Sequence, residues 1–308
     1  MSIKAELGKK IRKLREERGL SRGELCEGEE ELTVRQLARI EAGESLPTLT
    51  KLEFIAGRLS VSMSLLVDRK YVELPKGYLQ LKRRLYKFYT YKEQERKAKK
   101  NQLFKEIYET YYDDLPEEEQ LSIDVQSATN VLAMTDNVEF GEGILGDYFS
   151  QVMQRQEFSV NDLLIIELYL FYIHLREYDE VVFLSLFNKL VKQIDCSLDV
   201  DQFLLIRVLI VSISVFIEYG NYDKIIDAVT AADRVMKSNQ DFQKKPILDM
   251  YEGKYYLFSQ KDSTSAKQKF EEGAKLAELQ GDSVISQKIL KEWELDLATF
   301  KQQDSSSN

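Results

Sequence analysis

Two arginines and a glutamine within residues 33–47, Thr-Val-Arg-Gln-Leu-Ala-Arg-Ile-Glu-Ala-Gly-Glu-Ser-Leu-Pro, have the types and the spacing to read nucleic-acid bases. Arg35 and Arg39 stand four apart with Gln36 beside them, so a helix over this stretch presents all three together. Val34, Leu37 and Ile40 fall on the other face and would hold the helix from behind. A guanidinium forks onto guanine and a glutamine amide pairs with adenine, both in a DNA major groove. Lys51, in the first turn of the next helix, admits two readings: a phosphate contact made with that helix's N-terminus, or an ordinary exposed lysine.

The local grammar supplies the elements that would position these side chains. Thr33 is a good N-cap, and Gln36 three residues later closes a capping box. Gly43 stops the helix, and Pro47 with Thr48 starts another. Ser21 and Glu24 form a second capping box. Ile3, Leu7, Ile11 and Leu14 stripe a first helix; Leu49, Leu52, Ile55 and Leu59 stripe a fourth; residues 62–67 add a short fifth. Five short helices in the first 67 residues make a small all-α unit. The run from Lys9-Lys10-Ile11-Arg12-Lys13 to Gly19-Leu20-Ser21, followed by Arg39-Ile40-Glu41-Ala42-Gly43, resembles the Xre/Cro-type helix-turn-helix. Within that pattern DNA reading outweighs a merely solvated charged face for Arg35 and Arg39. Residues 26–31, Cys-Glu-Gly-Glu-Glu-Glu, are more acidic and about one residue longer than the usual link between the second and third helices.

The rest of the chain reads as helix. There are 4 prolines and 14 glycines in 308 residues, and no alternating Val/Ile/Thr-rich segment marks a strand, so the fold class is all-α. The net charge of −9 divides unevenly: +2 over residues 1–70, +9 over 76–105 and −19 over 106–308. The acidic mass thus lies in the C-terminal part, and the front third is basic. Two cysteines, Cys26 and Cys196, fall in different predicted domains, which suits a reducing cytoplasm. The N-terminus has no signal-peptide apolar core. Residues 203–217 are strongly apolar but short and interrupted by Arg207, as in a buried core helix rather than a membrane span.

Pro75 and Gly77 break the pattern, placing a linker at 69–77 between a DNA-binding domain at 1–68 and a second domain at 78–300, with a polar, disordered tail at 301–308. In the second domain similar turns recur: Leu175-Arg176-Glu177-Tyr178-Asp179, then Tyr219-Gly220-Asn221-Tyr222-Asp223 after 44 residues, then Phe258-Ser259-Gln260-Lys261-Asp262 after another 39. Residues 266–274 resemble the second helix of a tetratricopeptide repeat. The expectation is about five degenerate helical hairpins, a superhelix whose concave side suits an extended peptide or a partner segment.

This two-part layout resembles the peptide-pheromone-sensing regulators of Gram-positive bacteria, the Rgg/PlcR group, and within it the regulators of streptococcal competence. Residues 31–37, Gly43-Glu44-Ser45-Leu46-Pro47, Leu115-Pro116-Glu117-Glu118-Glu119, residues 158–164 and Gly281-Asp282-Ser283-Val284 carry the likeness along nearly the whole chain. The resemblance implies a short, re-imported hydrophobic signalling peptide bound in the repeat domain. It further implies a homodimer formed on activation, an inverted-repeat promoter, and transcription by RNA polymerase of competence genes. It also implies a peptide pocket at Thr90, Lys92 and Lys100. On the residues themselves, the basic run at 92–105 is equally a cationic pocket for a peptide carboxylate, a solvated helix face, or a DNA-phosphate stripe.

Phe171, Glu167 and Arg207 lie in very apolar helices, where a lone charge must pair or face water. Arg207 is thus either half of a core ion pair with Glu167 or a channel-lining cation awaiting an acidic peptide group. The acidic turn Asp113-Asp114-Leu115-Pro116-Glu117-Glu118-Glu119 suits a helix N-terminus. It is also expected to act as a regulatory latch, with Glu117 and Glu118 meeting Arg35 and masking the DNA surface until peptide binds. The last helix, 284–300 with Trp293, would cap the repeats or serve dimerisation. The single histidine, His174, lies on an apolar helix; no phosphate-binding glycine loop and no metal-spaced Cys/His cluster is present, so no enzyme, cofactor or metal is expected. The competing classes are a repressor, or a protein-interaction scaffold, controlled by a partner protein instead of a peptide.

Overall fold

A computed structural model describes residues 3–27, 31–66, 74–88, 94–135, 137–175, 178–196 and 202–306. Among these residues there is no strand, and the only bridge of strand type is an isolated parallel one between Leu46 and Pro116. Two compact units emerge, Met1–Arg155 and Gln156–Asn308.

The first unit opens with α1 (Ile3–Glu17), α2 (Arg22–Cys26), α3 (Val34–Ala42), α4 (Leu49–Arg58) and α5 (Met63–Leu66). Leu7, Ile11, Leu25, Leu37, Ile40, Leu52, Ile55 and Leu59 close a core between them. Both capping boxes form: Ser21 with Glu24, and Thr33 with Gln36. Gly43 adopts φ +74° and ends α3, a left-handed conformation that glycine enters without a Cβ penalty. The backbones of α1 and α3 nearly touch at Gly8, where a Cβ would lie 2.2 Å from the Ile40 carbonyl oxygen. Glu41 seals the same interface. Its carboxylate accepts from Arg15 Nε at 2.5 Å, Arg15 Nη2 at 3.1 Å and Arg22 Nε at 2.8 Å.

The unit continues with α6 (Lys76–Lys87), α7 (Gln94–Thr110), α8 (Glu117–Thr135) and α9 (Glu139–Gln154). Tyr78, Leu81, Leu85, Leu103, Phe104, Ile107, Leu115 and Ile123 form a core shared by α6, α7 and α8. Tyr78 and Lys82 of α6 both donate to Glu119 in the first turn of α8, the lysine at 2.7 Å. Tyr108 and Tyr112 donate to Asp124 at 2.9 and 2.6 Å, joining α7 to the middle of α8.

The second unit holds α10 (Val160–Tyr172), α11 (Glu180–Cys196), α12 (Gln202–Glu218), α13 (Ile225–Asn239), α14 (Lys245–Lys254), α15 (Ser263–Leu279) and α16 (Ser283–Ser306). Each of the helices from α12 to α16 packs on the next, as in helical-repeat architecture. The recurring turn sequences have a structural counterpart: Tyr178 and Tyr219 stack with ring centroids 3.8 Å apart. The apolar stretch 203–217 is the buried helix α12, and no helix among the described residues is long and apolar enough to cross a membrane. Lys254 donates to Glu292 at 2.9 Å and Asp296 at 2.6 Å, and Phe270 meets Trp293 at 5.3 Å, fastening α16. This last helix runs on to Ser306, past the expected end at Phe300. Lys301, Gln302 and Gln303 are good helix formers, and no glycine or proline stops them.

Candidate DNA-binding and peptide-sensing residues

The helix α3 presents Arg35 and Arg39 as its spacing requires, but acids of α8 and α9 in the same unit pair with them. Arg35, with its side chain 69% exposed, pairs with Asp147 of α9. Arg39 Nη1 lies 3.9 Å from a Glu117 carboxylate oxygen. Lys51 Nζ lies 3.9 Å from the other and 3.7 Å from Glu118. The expected pairing of Arg35 with the acidic turn is therefore not the one formed. The reason is geometric. The Glu117 N–H donates to the Leu46 carbonyl at 2.6 Å, just beyond the end of α3. That bond sets the first turn of α8 beside the last turn of α3 and the first turn of α4, where Arg39 and Lys51 stand, one helical turn away from Arg35.

Two further side chains differ from expectation. Lys51 is neither a phosphate-facing nor an ordinary exposed lysine here, because only 4% of it is exposed. Gln36 is buried too, its Oε1 accepting the Thr33 N–H at 3.0 Å to close the capping box. Capping and adenine reading compete for the same amide, and the cap holds it in this conformation.

Glu117 is electrostatically uncomfortable. It is 1% exposed, and neither carboxylate oxygen receives a hydrogen bond. Burial raises its pKa above the ordinary glutamate value, while Lys51 and Arg39 pull the other way. Tyr148 of α9 lies alongside, its phenol pushed up to about 12 by burial first and by Glu117 second.

Lys100 is buried on α7, its ammonium 5.8 Å from the Phe104 ring centroid. Thr90 and Lys92 lie outside the described residues. In the second unit Arg207 donates through Nε to Glu167 Oε1 at 3.0 Å and through Nη2 to the other oxygen, while its buried Nη1 has no hydrogen-bond partner. Phe171 is half-buried near the end of α10. His174, in the turn after α10, pairs with Glu218 of α12.

Residues 75–293 match the ComR tetratricopeptide family, and residues 11–66 match a helix-turn-helix family. The chain belongs to the ComR family. Its fold and family are those of a transcription regulator, a helix-turn-helix followed by tetratricopeptide-like repeats. The apo form of the competence regulator ComR from Streptococcus vestibularis is 34% identical, with a TM-score of 0.84 over 96% of this chain and 99% of that one. Apo ComR from S. thermophilus is 32% identical, with a TM-score of 0.85 over 96% and 100%. The S. thermophilus ComR complex with DNA and its signalling peptide ComS is 33% identical, with a TM-score of 0.68 over 94% and 99%. No curated protein matches.

Two participants were missed in reading this ComR-family sequence. Asp147 stands 112 residues from Arg35, and nothing local announces the contact. Glu41 was detectable: it shares the inner face of α3 with Leu37, and a carboxylate there requires buried cations. Among the described residues no group of three His, Cys, Asp or Glu side chains could hold a metal ion.

Proposed function

We propose that this chain is a cytoplasmic, peptide-activated transcription activator held silent by contacts between α3–α4 and α8–α9. In this reading Arg35 and Arg39 read base edges, with Gln36 and Lys51 joining them once α8 withdraws. A short hydrophobic signalling peptide engages Thr90, Lys92, Lys100, Phe171 and Arg207 in the repeat domain at 78–300. Its binding frees the DNA-binding domain at 1–68, and two copies then dimerise on an inverted repeat and recruit RNA polymerase to competence genes.

The observation that carries the reading is the pairing of three cations of α3 and α4 with acids of α8 and α9: Glu117 and Glu118 at Lys51, Glu117 at Arg39, and Asp147 at Arg35. The latch residues thus comprise Arg35, Glu117 and Glu118, with Arg39, Lys51 and Asp147 added by the geometry. The buried, unbonded Nη1 of Arg207 leaves two N–H donors for a peptide carbonyl or carboxylate, which supports the channel-lining reading alongside the Glu167 pair.

The test is fluorescence anisotropy on an inverted-repeat promoter duplex, with and without ComS, at fixed salt because phosphate contacts dominate affinity. Tighter binding with peptide supports the activator. Equal binding with and without it leaves a constitutive or protein-controlled repressor, and no binding in either case favours a scaffold.

A further inference from the structure

The outer face of α6 has no task in the scheme above. Lys76, Gln80, Arg83, Arg84 and Lys87 are all exposed along it, at helical spacing, while Tyr78, Leu81 and Leu85 turn inward. Gln80, Arg83, Arg84, Lys87 and Phe88 line an open groove of about 530 Å³. Among the described residues, Arg83, Arg84 and Lys87 have no ion-pair partner, in a chain whose net charge is −9. Another cation of the helix, Lys82, is committed to Glu119.

We infer that this face is a second, sequence-independent DNA contact that takes the phosphate backbone beside the groove read by α3. The stripe from Lys76 to Lys87 spans about 16 Å at 1.5 Å per residue. A duplex presents a charge for about every 1.7 Å of its axis, so several phosphates face a stripe of that length. A peptide offers one terminal carboxylate and needs one cation; a row of cations suits a repeating anion. Adjacent arginines also match phosphate oxygens with forked donors. Position agrees as well. The first turn of α8 that holds Arg39 and Lys51 through Glu117 also holds α6 through Glu119. Only ten residue steps separate Leu66 at the end of α5 from Lys76. At about 3.5 Å per residue, that tether keeps α6 within about 35 Å of the DNA-reading domain even after release. The +9 charge of residues 76–105 would then offset the repulsion of the −19 that follows.

The inference rests on the DNA-binding reading, and its central titration needs neither operator nor peptide. The full peptide-free chain is titrated by fluorescence anisotropy onto a labelled mixed-sequence duplex of about 40 base pairs, between about 50 and about 200 mM salt. The triple variant Arg83→Gln, Arg84→Gln, Lys87→Gln should lower the slope of log K against log salt by about 2 to 3. The wild-type advantage then grows roughly forty-fold from the high to the low end of that range. Arg83→Lys with Arg84→Lys keeps the charges and should keep most of the slope. Glutamine preserves helix propensity on an exposed face, and an unchanged thermal melt confirms the fold. A wild-type slope in the triple variant overturns the inference, as does absence of salt-dependent binding by the wild type. A variant that loses affinity only for labelled ComS overturns it too, giving the groove to the peptide. If the wild type binds an inverted repeat with ComS and the triple variant matches it throughout, this inference falls alone. If no inverted repeat is bound while the mixed duplex is, the activator reading falls instead.

Discussion

Glu41 and Glu117 are both buried glutamates set between two cations, and they are built for opposite purposes. Glu41 accepts three hydrogen bonds from Arg15 and Arg22 at 2.5 to 3.1 Å. Glu117 receives none, and its cations Arg39 and Lys51 stand at 3.9 Å. A buried carboxylate that is fully hydrogen-bonded recovers its desolvation cost; one that is merely near cations recovers only part. The first arrangement belongs to an interface that stays shut, between α1, α2 and α3. The second belongs to the interface proposed to open, between α3–α4 and α8. Distance and hydrogen-bond count separate a structural clamp from a candidate switch even where residue types and burial agree.

The largest effect should come from breaking the clamp. Glu41→Ala leaves Arg15, itself nearly buried, without its partner inside the helix-turn-helix core. Removing one member of such a pair costs about 3–5 kcal/mol. Urea denaturation should show the N-terminal helices losing stability by that amount, with DNA affinity falling in parallel with or without peptide. A loss below about 1 kcal/mol would erase the distinction between the two glutamates.

The corresponding change at the switch should leave the fold nearly intact and alter regulation. Glu117→Ala removes the acid shared by Arg39 and Lys51, and peptide-free DNA affinity should rise by about 5- to 150-fold, the usual range of coupling between sites. Glu117→Gln removes the charge but keeps the shape, and should open the face less than alanine does because the buried side chain still fills its place. If glutamine opens the face as far as alanine does, ion-pair attraction and not shape holds it closed.

Proton linkage sharpens the same contrast. Glu117 has a raised pKa when docked, chiefly through burial, so docking takes up a proton. That advantage is complete below the ordinary glutamate range and is lost as pH rises through the raised value. Peptide-free DNA affinity should therefore climb with pH across that window, by at most about tenfold per pH unit. Glu118, which faces Lys51, adds like charge and acts in the same direction. Anisotropy at stepped pH, with Glu117→Gln as the reference, isolates the contribution; equal slopes for the two proteins would remove Glu117 as its source.

What could be read in advance follows the range of each interaction. Thr33 with Gln36, Ser21 with Glu24 and the Gly43 stop are decided within four residues, and all three form as their types dictate. The all-α class followed from composition and periodicity. The acidic turn at 113–119 was legible as a counter-charge, but its partners were not, because the Leu46–Glu117 backbone bond that sets the register carries no side-chain signature. Arg207 with Glu167 was legible from the isolation of each charge on an apolar helix. The unbonded third nitrogen of Arg207 was not, since it depends on neighbours brought in by packing.

The smallest predicted effect touches the double duty of Gln36. The Gln36 N–H donates to Thr33 Oγ1 at 3.1 Å, and Gln36 Oε1 accepts the Thr33 N–H at 3.0 Å. Thr33→Ala deletes the first bond and should cost about 1 kcal/mol of stability, as N-cap losses do. It also loosens the reciprocal one, freeing the Gln36 amide to turn outward. If Gln36 reads a base, the variant should keep or gain affinity for an inverted repeat in the presence of ComS despite its lower melting temperature. If Gln36 is only a cap, affinity should follow stability downward. The cap in α3 thus distinguishes a residue that positions the arginines from one that shares their work. Glu41 cannot make that distinction, because losing it damages the whole domain.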